Sequence, residues 1–178
     1  PFDPTIHAEN FKARLARART LMREAGHGRG HSMEVELRFN SSLAHRRMAV
    51  AVAAMWEQHL GVRTRLINEE WKVFVTNRRH GRITEIVRGG WIADWADPAN
   101  FLDNFHSESG LNYAFLADPE LDALLDQARG QYGAQRIATL VRAEDRLLDL
   151  HAIIPLYYYV SRHLVHPDLL GWEDNVMD

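Results

Sequence analysis

The chain has no cysteine, which excludes disulfides, thiolate metal sites and cysteine nucleophiles but does not fix a compartment. Long apolar runs are also missing, and none approaches the roughly 18–20 residues that a membrane-spanning helix needs. Neither sign of charge dominates: the formal net charge is −3 over 178 residues and the pI is about 6.4. That balance argues against a general nucleic-acid surface, and the basic cluster Arg78, Arg79 and Arg82 reads by itself as a solvated loop. Enzyme signatures are absent too, with no G-x-S-x-G, no P-loop and no H-E-x-x-H. Gly28-Arg29-Gly30 lacks the third glycine of a dinucleotide fingerprint and reads as a loop. The chain opens Pro1-Phe2-Asp3-Pro4 without an initiator Met or a signal-peptide pattern. It is therefore expected to be a piece of something longer, with any targeting segment outside it.

What is present is ordinary globular material. The hydrophobic fraction is 46% and the charged fraction 25%, enough apolar matter for one domain, or one lobe of a larger protein, with its own core. Phe11, Leu15, Ala18, Met22 and Ala25 recur at helical spacing before Gly26. Residues 34–39 alternate, with Val35, Leu37 and Phe39 on one side and Glu34, Glu36 and Arg38 on the other, and predict a half-buried strand. Ser41 and Ser42 precede a helix with Met48, Val52, Met55 and His59 on one stripe, ended by Gly61. A second strand is expected over residues 62–67, a short helix over about 69–79 and strand character over 83–91. Two helix-then-strand passages in a row predict α/β packing with at least partly parallel strands.

From Trp91 to about Leu116 the period is lost, and a loop-dominated stretch with one short helix after Pro98 is expected. Asp118-Pro119 reads as an N-cap followed by proline at the first helical position, with Leu121, Leu124, Leu125 and Ala128 behind it. Ile137, Leu140, Val141, Leu147 and Leu148 mark a further helix. Residues 153–160 read as an apolar, aromatic strand interrupted by Pro155. No internal repeat and no clear second-domain boundary are visible.

Few residues suggest chemistry on their own. Asp94 and Asp97 could serve as an acid/base carboxylate pair or as metal ligands, but no companion His or third carboxylate sits at ligand spacing. His163 and His166, three apart in an expected strand, would face opposite sides. His59 and His151 fall on apolar helix stripes and read as partly buried. No metal and no cofactor are assigned. The informative stretch is Arg88-Gly-Gly-Trp91-Ile92-Ala93-Asp94-Trp95-Ala-Asp97-Pro98, where two glycines before a Trp allow close approach of the backbone to something else.

This stretch resembles the binding-cleft segment of oligopeptide-binding proteins, within the large family of extracellular solute-binding proteins for peptides, nickel and related ligands. Further landmarks in the family's order are Ala25-Gly26, Leu60-Gly61-Val62, Glu70-Trp71-Lys72, Asn112-Tyr113-Ala114 and Pro155-Leu156-Tyr157-Tyr158-Tyr159-Val160. They cover about residues 10–170. The resemblance implies an α/β lobe of a bilobal clamshell, a mixed sheet flanked by helices, with residues 1–178 forming a single C-terminal lobe whose N-terminal partner lobe is missing. It also implies a periplasmic receptor, or one anchored outside the cytoplasmic membrane, that passes peptides to the permease subunits of an ABC importer.

By the same resemblance, Asp94 pairs with the peptide's α-ammonium, while the backbone of Trp91, Ile92 and Ala93 pairs with the ligand main chain as an added strand. Arg88 and one of Arg78 and Arg79 hold the ligand carboxylate, and Trp71 and Tyr159 line the cleft. The chain is one residue longer than the family pattern between Trp71 and Arg88, which leaves Arg78 and Arg79 both open. Ile92 stands where members of the family carry Cys, at a contact made by backbone. Tyr159 is expected to face the cleft and Tyr158 to pack against the body of the lobe. The expectation is a monomeric receptor without catalysis, cofactor, metal or nucleic-acid partner. Rival readings are the same fold with a nickel chelate, murein peptide, sugar or opine as cargo, a small hydrolase using Asp94 and Asp97, and a bare interaction module.

Overall fold

The computed structural model describes residues 4–28, 30–160 and 163–172, with side chains from residue 10 onward. The Pro1-Phe2-Asp3 opening and Arg29 of the Gly-Arg-Gly turn lie outside the described residues. The chain divides into two compact units, Pro1–Gly89 and Gly90–Asp178.

The first unit contains α1 (Pro4–Glu24), β1 (Glu34–Asn40), α2 (Leu43–Leu60), β2 (Arg63–Glu69), α3 (Trp71–Arg79) and β3 (Ile86–Val87). Its sheet has the order β2-β1-β3. Expected as mixed, the sheet is parallel throughout these strands, with Glu34 opposite Arg63, Asn40 opposite Glu69 and Leu37 opposite Ile86. Parallel neighbours on both sides make β1 a central strand covered on both faces. The alternation is real, since Leu37 and Phe39 pack with Ala49 and Val52 of α2. The half-buried reading fails at Glu36, which is only 7% exposed. Its carboxylate is compensated by Arg38 and by Arg65, and Arg38 also reaches Glu69 at 2.8 Å. A buried charge persists only with such partners.

On α2 the buried stripe is Ala49 and Val52, flanked by half-buried Met48 and Trp56, while Met55 is 50% exposed. Gly61 ends the helix in the left-handed region (φ 70°), where its N–H donates to the Glu57 carbonyl at 3.0 Å and Val62 N donates to the Trp56 carbonyl at 3.3 Å. Glycine adopts that conformation without steric cost. The expected strand over 83–91 shrinks to two residues.

The second unit contains α4 (Ala99–Leu102), a 3₁₀ turn (Asp103–Phe105), α5 (Pro119–Arg129) and α6 (Gly133–Asp149). Its core joins Ala99, Leu102, Leu121, Leu124, Leu125, Ala128, Leu140, Ala143 and Leu147. Asp118 caps α5 as expected, accepting from Leu121 N at 2.8 Å, and Arg146 of α6 clamps the same carboxylate at 2.6 and 3.0 Å. Asn112 closes the preceding loop, donating to the His106 and Leu116 carbonyls at 3.2 and 2.7 Å while Leu116 N donates back.

Several expectations are corrected here. On α6, Ile137 and Val141 are exposed and the buried stripe runs through Thr139, Leu140, Ala143 and Leu147. His151 lies beyond α6, exposed, with φ 54°. Residues 153–160 form no strand. Ile153 packs on the core, but no described strand pairs with the segment, and extended backbone needs partners for its N–H and C=O groups. Tyr158 is 93% exposed and does not pack against this unit. Tyr157 and Tyr159 do share a side, with rings edge to face at 5.5 Å. His163 and His166 likewise lie outside any strand.

Candidate functional site

The stretch after Gly90 is ordered by one residue that carries no sequence motif. Asn100, in the first turn of α4 and only 4% exposed, turns its Oδ1 toward the cleft-like segment. That oxygen accepts from the indole Nε1 of Trp91 at 2.7 Å and from the backbone N–H of Asp94 at 3.0 Å. The two ends of the segment Trp91–Asp94 are thereby tied to α4. Between them, Ile92 is 71% exposed, and among the described residues the backbone groups of Ile92 and Ala93 form no hydrogen bond. Exposed main-chain donors and acceptors of this kind are what an added strand requires.

The two carboxylates behave differently. Asp97 is committed to structure: it caps α4 by accepting from Ala99 N at 2.8 Å and takes two bonds from Arg136 of α6 at 2.8 and 2.9 Å. The Arg136 guanidinium holds its carboxyl below the usual carboxylate range, with the Ala99 N–H adding to the effect against the opposing effect of burial. A carboxylate so engaged is a poor proton carrier. Asp94 does none of this capping. Its carboxylate is exposed and, among the described residues, meets no ion-pair partner.

In the first unit, Glu70 caps α3 by accepting from Lys72 N and Val73 N. The helix then stacks Trp71 on Phe74, with ring centroids 6.2 Å apart, and lays the Arg78 guanidinium over Phe74 at 5.5 Å. Phe74 is fully buried while Trp71 is 52% exposed. Arg78 is half-buried and Arg79 exposed. The spacing of residues 71, 74 and 78 places them on one helix face, which Arg79 does not share.

Sequence reasoning missed His45. It lies in the first turn of α2, just past the carboxyl end of β1, and Arg88 follows β3 with its N–H bonded to Arg38 O at 2.8 Å. Burial first, and then the Arg88 charge, push the His45 imidazole below its ordinary range, partly offset by a backbone hydrogen bond with Asn40. Asn40, His45 and Arg88 thus gather at the carboxyl ends of parallel strands, where open α/β sheets bind ligands. Tyr159 and Asp94 belong to the second unit, and Trp71, Arg78, Arg79 and Arg88 to the first. No described cluster of three His, Asp or Glu residues is arranged to hold a metal ion, and no described helix is long and apolar enough to cross a membrane.

Residues 1–113 match the family described as bacterial extracellular solute-binding proteins, family 5 Middle. The chain belongs to the family 5 solute-binding proteins. It is 35% identical to the periplasmic oligopeptide-binding protein OppA of Escherichia coli over 156 residues, 87% of this chain and 28% of that protein. The periplasmic murein peptide-binding protein MppA of the same organism is 34% identical over 161 residues, 90% of this chain and 30% of that protein. Among solved structures, Haemophilus influenzae OppA in complex with RPPGFSPFR superposes with a TM-score of 0.78 at 30% identity, over 83% of this chain and 29% of that one. The chain spans less than a third of the length of these curated relatives. Family 5 members are transport receptors, and the α/β class expected from the sequence is the one these structures share with this chain.

Proposed function

We propose that residues 1–178 are the C-terminal lobe of a periplasmic receptor that closes over an oligopeptide and delivers it to an ABC permease. The observation that carries this reading is the Trp91–Asp94 segment, whose two ends are tied to Asn100, with main chain open for pairing and an Asp94 carboxylate that meets no ion-pair partner among the described residues. A receptor for many peptides must read what they share, which is the main chain and the charged ends. The carboxylate of Asp94 suits the α-ammonium. The cationic groups Arg78 and Arg88, with His45 beside the latter, suit the carboxylate end. Arg78 takes this role in preference to Arg79 because Phe74 supports it from below. Trp71 and Tyr159 offer exposed aromatic walls for side chains.

The partner lobe is the remainder of the receptor, and the receptor acts as a monomer without catalysis, metal or cofactor for this purpose. The hydrolase reading loses its second carboxylate to Arg136. A murein peptide in place of a free oligopeptide is the second reading, favoured by the likeness to MppA. Native mass spectrometry of the full-length receptor as purified tests the function: peptide-sized adducts that leave on unfolding are expected. A receptor that copurifies only with non-peptide cargo would overturn the proposal.

A further inference from the structure

We propose that the cavity beside the junction of α1 and β1 is a site for one soft monovalent cation, Cu(I), held by the imidazoles of His27 and His31 and the thioethers of Met22 and Met33. The cavity measures about 310 Å³ and is lined by these four residues, with Leu60 and Gly61 at the end of α2 among the others. Three sets of backbone bonds bring the four together. His27 N donates to Met22 O at 2.8 Å, folding His27 back on the last turn of α1. Gly28 and His31 exchange N–H···O bonds at 3.1 and 3.0 Å, which brings their backbones together one residue past His27. Met33 O accepts from Arg63 N at 2.8 Å, which fixes Met33 beside the end of α2.

The donor chemistry selects the ion. Among the described residues no Asp or Glu lines the cavity, so hard cations that demand carboxylate oxygens find no charge from them there. Two imidazoles and two thioethers form a neutral, soft, four-donor set of the kind that favours Cu(I). Met22, His27 and Met33 are half-buried while His31 is exposed, which leaves an entry path for the ion. Unbranched Met side chains close on a small ion by rotation, and the flanking turn contains Gly28 and Gly30, the latter at φ 96°. The spacing of these residues in sequence hides the set, because Met22 lies in α1 and Met33 in the connection just before β1. The site lies apart from the residues assigned to peptide binding and does not rest on that assignment.

The test is anaerobic competition for Cu(I) between the 178-residue chain and bicinchoninate. One equivalent withheld by the chain is expected. Met22→Leu with Met33→Leu should weaken binding at least about tenfold, since loss of even an outer-shell partner costs about 10–100-fold. His27→Phe with His31→Phe should abolish it, with helical circular dichroism retained. A second readout uses the wild type alone: on adding Ag(I), the methyl resonances of Met22 and Met33 should move while those of Met48 and Met55 in α2 stay. No withheld Cu(I), unchanged affinity in the folded Met22→Leu/Met33→Leu variant, or Ag(I) shifts confined to Met48 and Met55 would each overturn the proposal. Should the variants not fold, the Ag(I) spectrum decides.

Discussion

Asn100 does for the binding segment what a cap does for a helix: one side-chain oxygen satisfies an indole and a backbone N–H that would otherwise go unpaired. Replacing it with Ala leaves the Trp91 Nε1 donor without its partner, at a cost of about 1–3 kcal/mol. Asn100→Ala should therefore shift the Trp91 indole N–H resonance, lower the urea midpoint and weaken peptide binding by the full receptor, although Asn100 itself need not touch ligand. A variant with unchanged affinity and an unchanged indole resonance would remove Asn100 from the site. A second comparison separates the two neighbouring arginines. Arg78 rests on Phe74, so Arg78→Ala should lose both packing and affinity for free-carboxylate peptides, whereas Arg79→Ala should change stability by no more than about 0.5 kcal/mol. Calorimetry on both variants decides, and equal losses would mean that the helix face has been misjudged. Neither Asn100 nor the choice of Arg78 was legible in the sequence. A lone Asn in a helix of four residues carries no periodic signal, and the two arginines differ only in what lies beneath them.

At the scale of elements, the Asp97–Arg136 pair joins α4 to α6 and supplies a pH signature. Its folded carboxyl lies below the usual range, which for an unfolded Asp is near about 3.9. The stabilisation is thus complete above about pH 4 and is lost as pH falls through the depressed folded value. Arg136→Met should lower the melting temperature at pH 7, and the gap to wild type should close as pH drops through that window. A gap that is constant with pH would mean the loss is packing alone. Helices with a strong 3.6-residue stripe, α5 above all, were legible because their signal is local: Asp118, Pro119, Leu121, Leu124, Leu125 and Ala128 sit where the pattern puts them. The strands were harder. Burial of Glu36 depends on Arg65 and Arg38 arriving from a neighbouring strand and its own, and residues 153–160 have strand composition but no described partner. Pairing is non-local, and composition cannot announce whether the partner is there. The loss of period after Trp91 did mark the segment correctly as loop, and the Gly-Gly-Trp-x-Ala-Asp pattern gave its residues roles that spacing alone does not.

For the molecule as a whole, the matched relatives are more than three times as long as this chain. The 178-residue chain should therefore bind peptide far more weakly than the full receptor, because the remaining walls of the cleft are missing. Clear micromolar binding by the chain alone in calorimetry would speak against a two-lobed receptor.

The most direct test of the account is a cycle on Asp94 in the full receptor, crossing Asp94→Asn with N-terminal acetylation of the peptide. On the proposed reading, closure over the ligand would remove the carboxylate and ammonium from water together, and taking away one partner of such a pair costs about 3–5 kcal/mol. At about 1.4 kcal/mol per decade, that is about two to four decades of affinity. Asp94→Asn should cripple binding of free-amine peptides with the melting temperature unchanged, since Asp97, not Asp94, caps α4. Acetylated peptide should bind the wild type as poorly as free peptide binds the variant. If acetylated and free peptides bind the wild type equally well, Asp94 is not the ammonium partner and the assignment of the site is wrong.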